Sequence, residues 1–320
     1  FNLNLENNHK DLFHPDLEVI VRTGNGTQNT LGLKDIDTSV FYGGVLEGVD
    51  GVTDVQAHVD RGVLVAQIQT DDGSYFLERA DTYMSNPSFS NILYKGSDMT
   101  SNVSTGLHGA YEGSAYDKMK ATSKHSETVN AQDPDFLDRY YQKRNQTHRN
   151  RERRSGNRQR RTFDIAEHNT CFVGLVADHT YVTNVADGDP QRAIALMTQN
   201  VAGATLIYRY TEFYKGIGKG LNFAIKRFYV YESADDLENP FRDPTEFECG
   251  VEADESALCT AATPCSQHFL SKLSSWGGGT TTFGDLCLAH LFTYRDLCFG
   301  VLGLAWIGST RIGGSGICAN

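Results

Sequence analysis

Residues 149–161 read Arg-Asn-Arg-Glu-Arg-Arg-Ser-Gly-Asn-Arg-Gln-Arg-Arg, the stretch whose side chains most directly invite chemistry. Arg-x-Arg-Arg occurs twice, once through Arg151, Arg153 and Arg154 and once through Arg158, Arg160 and Arg161. Ser155-Gly156-Asn157 lies between them, and small polar residues of this kind favour an exposed turn. Several arginines in an exposed strand can pair with acidic protease subsites. The pattern predicts a place where the chain is cut.

The other reactive side chains point away from catalysis. Ten histidines are present, and no two stand four apart, the spacing that presents two imidazoles on one helix face to a metal. No metal site and no catalytic residue is expected within these 320 residues. All seven cysteines follow the basic stretch, at 171, 249, 259, 265, 287, 298 and 318, and none forms a Cys-x2-Cys pair. Disulfides are therefore expected rather than a zinc ribbon, which implies a secretory compartment, with one cysteine of the odd set left over. Acceptor sequons at Asn25, Asn102 and Asn145 fit the same compartment.

Composition narrows the class. With 39% hydrophobic and 22% charged residues the chain reads as soluble globular material, long enough for two domains. Residues 139–161 hold ten of the 29 Lys and Arg and one acid, Glu152. Taking these from 29 basic and 40 acidic residues leaves 19 against 39, a net charge of −20. That remainder excludes a nucleic-acid or membrane-surface binder, so a basic localisation signal is the weaker account of the arginines. The chain starts at Phe1 with no signal peptide, and no apolar run reaches the roughly 18 residues needed to span a bilayer. Either the ends are missing or the chain is cytosolic.

These residues need elements to hold them. Residues 1–130 read as β-rich, with a hairpin over 63–78 turning at Asp71-Asp72-Gly73-Ser74. Residues 101–130 are Ser-, Thr-, Gly- and Lys-rich with little periodicity, and Asp133-Pro134 suits a helix start. After the arginines, residues 171–177 read as a buried strand. Asp189-Pro190 then reads as an N-cap with proline at the first helical position. Ile194, Met197, Val201, Ala204 and Tyr208 follow in steps of 3, 4, 3 and 4, an apolar stripe fit to pack on a sheet, with this Met and Tyr in the core. Residues 221–231 alternate around Phe223, Ile225, Phe228 and Val230 as a second strand. A helix at 267–276 and strands at 286–292 and 300–308 complete an α/β layering.

In its motifs the chain resembles the ADAM metalloproteases, in particular their Kuzbanian-like branch. The resemblance rests on Asn169-Thr170-Cys171, on residues 287–296 (Cys-Leu-Ala-His-Leu-Phe-Thr-Tyr-Arg-Asp), on residues 300–306 (Gly-Val-Leu-Gly-Leu-Ala-Trp) and on Gly316-Ile317-Cys318. A looser match runs through Phe41-Tyr42-Gly43-Gly44 and Tyr75-Phe76-Leu77-Glu78. The resemblance implies a β-rich inhibitory prodomain at 1–161 and the N-terminal half of a metzincin-type α/β protease domain at 162–320. It implies cleavage after Arg161 by a furin-like convertase, with Arg154 as second choice, and a Cys171 to Cys287 disulfide, with Cys318 pairing to a cysteine beyond residue 320. By the same resemblance Val301, Leu302, Gly303 and Leu304 form the sheet edge that pairs with a peptide substrate, where glycine permits close backbone approach.

The family's zinc motif, His-Glu-x-x-His-x-x-Gly-x-x-His, does not occur. The resemblance therefore implies an inactive piece of a zinc endopeptidase. The intact protein would be a single-pass plasma-membrane protein, held by a missing C-terminal segment, that sheds ectodomains of transmembrane proteins such as Notch-type receptors. Many relatives keep latency through a prodomain cysteine on the zinc. Here Ala110 falls at that position with His108 two residues earlier, so the prodomain is expected to inhibit its own protease domain by packing. The alternative is a naturally short, non-catalytic inhibitor or binding module of the same family.

Overall fold

The computed structural model describes residues 2–98 apart from 9 and 52, then 170–211, 220–242, 266–278, 283–295, 297, 303 and 305. Among the described residues the order after the arginines is strand, two helices, strand, helix, strand. It comprises β9 (Thr170–Ala177), a short helix α1 (His179–Asn184), α2 (Pro190–Tyr210), β10 (Asn222–Tyr231), α3 (Ser266–Gly278) and β11 (Leu288–Phe292). The α2 start is as the sequence predicts, with Asp189 Oδ1 accepting from the Gln191 amide at 2.9 Å and Pro190 opening the helix. Ile194, Met197 and Val201 are buried, and Ala204 and Tyr208 pack against the same core. Helix α1 was not foreseen. It is set by Asp178, whose Oδ1 accepts from the Tyr181 amide at 2.9 Å.

The spacing of Phe223, Ile225, Phe228 and Val230 contains one step of three, and the structure explains it. In β10 the register with β9 slips between Ile225 and Arg227, so a bulge at this point restores Phe228 to the buried face.

Before the arginines lie β1 (Asn2–Asn7), β2 (Phe13–Arg22), β3 (Gln28–Gly32), β4 (Phe41–Glu47), β5 (Thr53–Asp60), β6 (Val63–Thr70), β7 (Gly73–Arg79) and β8 (Asn91–Lys95). The expected hairpin is β6 and β7, whose register partners Thr70 and Gly73 leave Asp71-Asp72 as the turn. Six strands form an antiparallel sheet in the order β1-β4-β5-β6-β7-β8. At Gly44 the sheet is drawn so tight that a Cβ would lie 2.0 Å from the Asn4 carbonyl oxygen, which is why β1 crosses β4 at glycine.

The remaining two early strands do something the sequence did not indicate. The second sheet runs β11-β9-β10-β2-β3, so β2 pairs in parallel with β10 and carries β3 antiparallel on its far side. Val19, Ile20 and Val21 are consecutive and all buried, the mark of a parallel-sheet strand covered on both faces. Phe13 meets Phe41 edge-on at 5.5 Å and Phe228 at 6.5 Å between ring centroids. Leu12, Phe13, Leu17, Val19, Val21 and Phe41 thereby join Ile194, Met197, Phe223 and Phe228 in one core. Residues on both sides of the basic stretch thus build one sheet and one core.

Helix α2 contacts both β10 and β5 and so lies between the two sheets. At Gly203 the helix comes so near β6 that a Cβ would stand 2.3 Å from Gln67 Oε1.

Replacing Phe13 with Ala should lower the unfolding free energy by about 3–5 kcal/mol, the usual cost of truncating a buried aromatic. Urea denaturation of the 320-residue chain reads this directly, and a loss under about 1 kcal/mol would contradict a core shared across the basic stretch.

Candidate functional site at the joint of the two chain segments

The joint is apolar where β2 enters the sheet and charged around it. Arg22 is nearly buried and donates to Asp236 from Nε at 2.7 Å and Nη2 at 3.2 Å, with Glu238 at 2.9 Å from Nη1. Its hydrogen bonds hold the Asp236 carboxyl below the usual carboxylate range, outweighing the opposing effect of burial. Arg227 reaches Glu18 at 2.8 Å and Asp285 at 3.1 Å.

A second set of contacts joins β5 to α2. Asp54, Gln56, His58 and Asp60 alternate with Val55 and Ala57, and both sets are buried. Such alternation ordinarily marks a strand with one wet face. Here the apolar set faces the core of its own sheet with Leu46, Ala66 and Ile68, while the polar set meets the helix. Asp54 accepts from Arg209 Nη1 at 2.7 Å and Tyr210 Oη at 3.0 Å. Asp60 accepts from Arg192 through both oxygens, at 2.9 and 3.2 Å, and Arg192 Nη1 also holds Asp187 at 2.7 Å. Burial alone would raise the Asp60 carboxyl. Arg192, Arg61 and Arg79 overcome that and hold it low.

A third cluster sits where the chain leaves β11. Asp178 is fully buried, and its Oδ1 accepts from Thr180 Oγ1 at 2.7 Å as well as from the Tyr181 amide. Its Oδ2 accepts from Thr293 Oγ1 at 2.7 Å and Arg295 Nε at 3.2 Å. Arg295 Nη2 then donates to the Phe241 carbonyl at 2.6 Å, and the Tyr294 amide to Thr180 Oγ1 at 3.0 Å. The knot holds Thr293, Tyr294 and Arg295 against the start of α1 and the Phe241 carbonyl. Gly303 and Ala305 are both exposed. A disulfide between Cys171 and Cys287 ties β9 to the start of β11.

The site residues expected from sequence fare unevenly. Gly303 has open space around its α-carbon, whereas Val301, Leu302 and Leu304 lie outside the described residues. So do Arg151, Arg153, Arg154, Arg158, Arg160, Arg161, Cys318, Ala110, His108, Asn102 and Asn145. Asn25 is exposed in the turn that closes β2 onto β3, its Oδ1 accepting from the Thr27 amide at 2.9 Å. Among the described residues no three His, Cys, Asp or Glu side chains converge as a metal site. Among the described helices none is long and apolar enough to cross a membrane. Sequence reasoning passed over Asp60, Asp178, Arg192 and Arg295; the one local signal was Asp178 as an N-cap, since the other pairings join residues more than 100 positions apart.

No family model matches the chain. Curated relatives match it along both segments. Disintegrin and metalloproteinase domain-containing protein 10 of Bos taurus is 28% identical over 300 residues, covering 89% of this chain and 33% of the relative. The protein of that name from Rattus norvegicus is 29% identical over 299 residues, with the same shares, and the Caenorhabditis elegans homolog is 26% identical over 326 residues, covering 90% and 31%. The chain is thus similar in sequence to ADAM metalloproteinases. It spans about a third of the length of these relatives.

The Asp178 knot is open to direct trial. Asp178→Ala would leave the Arg295 guanidinium, 10% exposed, without its carboxylate. Breaking a buried ion pair from one side should cost about 3–5 kcal/mol of stability, read by urea denaturation.

Proposed function

We propose that the chain is the latent N-terminal portion of a zinc endopeptidase, with residues 1–161 an inhibitory prodomain and residues from 162 onward the first half of the protease domain. A furin-like convertase cuts after Arg161, with Arg154 as the second site. The intact protein travels the secretory pathway to the plasma membrane, stays tethered there, and sheds ectodomains of transmembrane proteins, Notch-type receptors among them. Its zinc ligands come from outside these 320 residues, and the chain by itself hydrolyses no peptide.

The observation that carries this proposal is the similarity to metalloproteinases over 89% of a chain that holds a double Arg-x-Arg-Arg site. The joint supports it as well. An inhibitor that contributes a strand to its protease's sheet restrains that sheet without having to reach a metal. In this scheme Gly303 belongs to the substrate-facing edge.

Incubation of the full chain with furin should yield a new N-terminus at Thr162, and Arg160→Ala with Arg161→Ala should abolish that product or move it to Ser155. An uncut wild-type chain would refute the convertase site. Metal analysis and peptide hydrolysis on the same preparation should give no bound zinc and no turnover.

A further inference from the structure

Of the four polar side chains that β5 turns toward α2, the two carboxylates are bonded as described, and Gln56 Nε2 donates to Asp54 Oδ1 at 3.5 Å while its Oε1 has no partner. His58 carries the titratable ring of the set. It is 1% exposed, and neither ring nitrogen makes a hydrogen bond of good geometry, although Gln199 of α2 lies near enough to favour the charged ring.

The groups around His58 decide what a proton would do there. Asp60 stands two positions along the same strand, and Arg192 and Gln199 face it from α2. Its register partners on the flanking strands, Phe41 of β4 and Val65 of β6, are apolar. Asp60, the nearby carboxylate that could stabilise an imidazolium, is already engaged by Arg192 and approached by Arg61 and Arg79 at 3.9 and 3.7 Å. A charged ring at this position would be desolvated and next to a guanidinium, a costly arrangement.

We propose that His58 is an acid-sensitive latch, which when neutral lets β5 pack on α2 and when protonated drives the six-stranded sheet away from that helix. The proposal concerns this contact and does not depend on the cleavage or the protease activity proposed above. Burial pushes the imidazole below its ordinary value and Arg192 adds to this, with Asp60 and Gln199 opposing only in part. For a histidine depressed in the folded state, the unfolded state binds the proton first. Stability is therefore complete above about pH 6.5 and is lost as pH falls below it. The joint carboxylates behave oppositely. Asp60 and Asp236 are held below the usual carboxylate range by their arginines and stay charged throughout mild acid, so they do not loosen the joint there. His179 is also depressed by burial, but it sits on α1, away from β5.

Urea unfolding of the full chain and of His58→Gln, each at about pH 7.5 and about pH 5.5 to span the ordinary histidine value of about 6.5, separates His58 from these others. The wild-type unfolding constant should rise by up to about tenfold more per pH unit than that of the variant, the yield of one linked proton. Parallel slopes would overturn the latch. Because the variant could fail to fold, exchange of the histidine C2 proton followed by mass spectrometry tests the wild-type chain alone. His58 should exchange slowly with a midpoint below about 6.5, and a midpoint at or above that value overturns the proposal. Backbone amide protection should fall in β5 and α2 on acidification of the wild type; an unchanged pattern in those elements counts against it.

Discussion

The contact of Phe13 with Phe41 and Phe228 underlies the other features of the structure, because it closes one core from residues on both sides of the basic stretch. Without β2, strand β10 would present an open row of N–H and C=O groups along the sheet edge, and its apolar side chains would lose half their cover. With β2 in place that edge moves outward to β3, a strand of five residues that ends in a glycine, and short edges resist further pairing. The disulfide acts on the other side of the sheet, joining β9 to the start of β11 independently of the N-terminal segment.

The two attachments of the N-terminal segment differ in kind. The entry of β2 is apolar and close-packed, the sort of contact that persists once formed. The β5 face on α2 is built from Asp54, Gln56, His58 and Asp60 against Arg192, Gln199 and Arg209, and polar contacts of this type are typical of surfaces that part and rejoin. Its ion pairs hold only in full. Removing one member would leave a buried charge uncompensated, which makes the contact specific rather than strong. Asp178 follows the same rule at the far end of the sheet, where one carboxylate gathers Thr180, Thr293 and Arg295.

Much of this was legible in the residues. The Asp189-Pro190 cap, the stripe from Ile194 to Tyr208 and the β6–β7 hairpin are each written within about 20 consecutive positions, where spacing alone tells helix from strand. Even the bulge of β10 is foreshadowed by the step of three between Ile225 and Phe228. The pairing of β2 with β10 was hidden because it joins strands some 200 positions apart, and nothing local encodes a parallel register. The burial of His58 and Asp60 was hidden for a related reason. Their alternation with Val55 and Ala57 has the same form whether water or a helix covers the polar side.

The sequence by itself determined the β6–β7 hairpin, the capped helix from Pro190 and the strands around Val173, Ile225 and Leu288, where the arginines and cysteines fall, and the family its motifs resemble. These depend on local periodicity and residue type. Only the tertiary structure decided that the segment before the arginines supplies a buried strand to the sheet after them, that Cys171 lies beside Cys287, and that four polar residues of β5 close on α2. Such partnerships are set by which apolar faces can be covered at once and which charges then have to be paired. That choice is made by the folded chain as a whole.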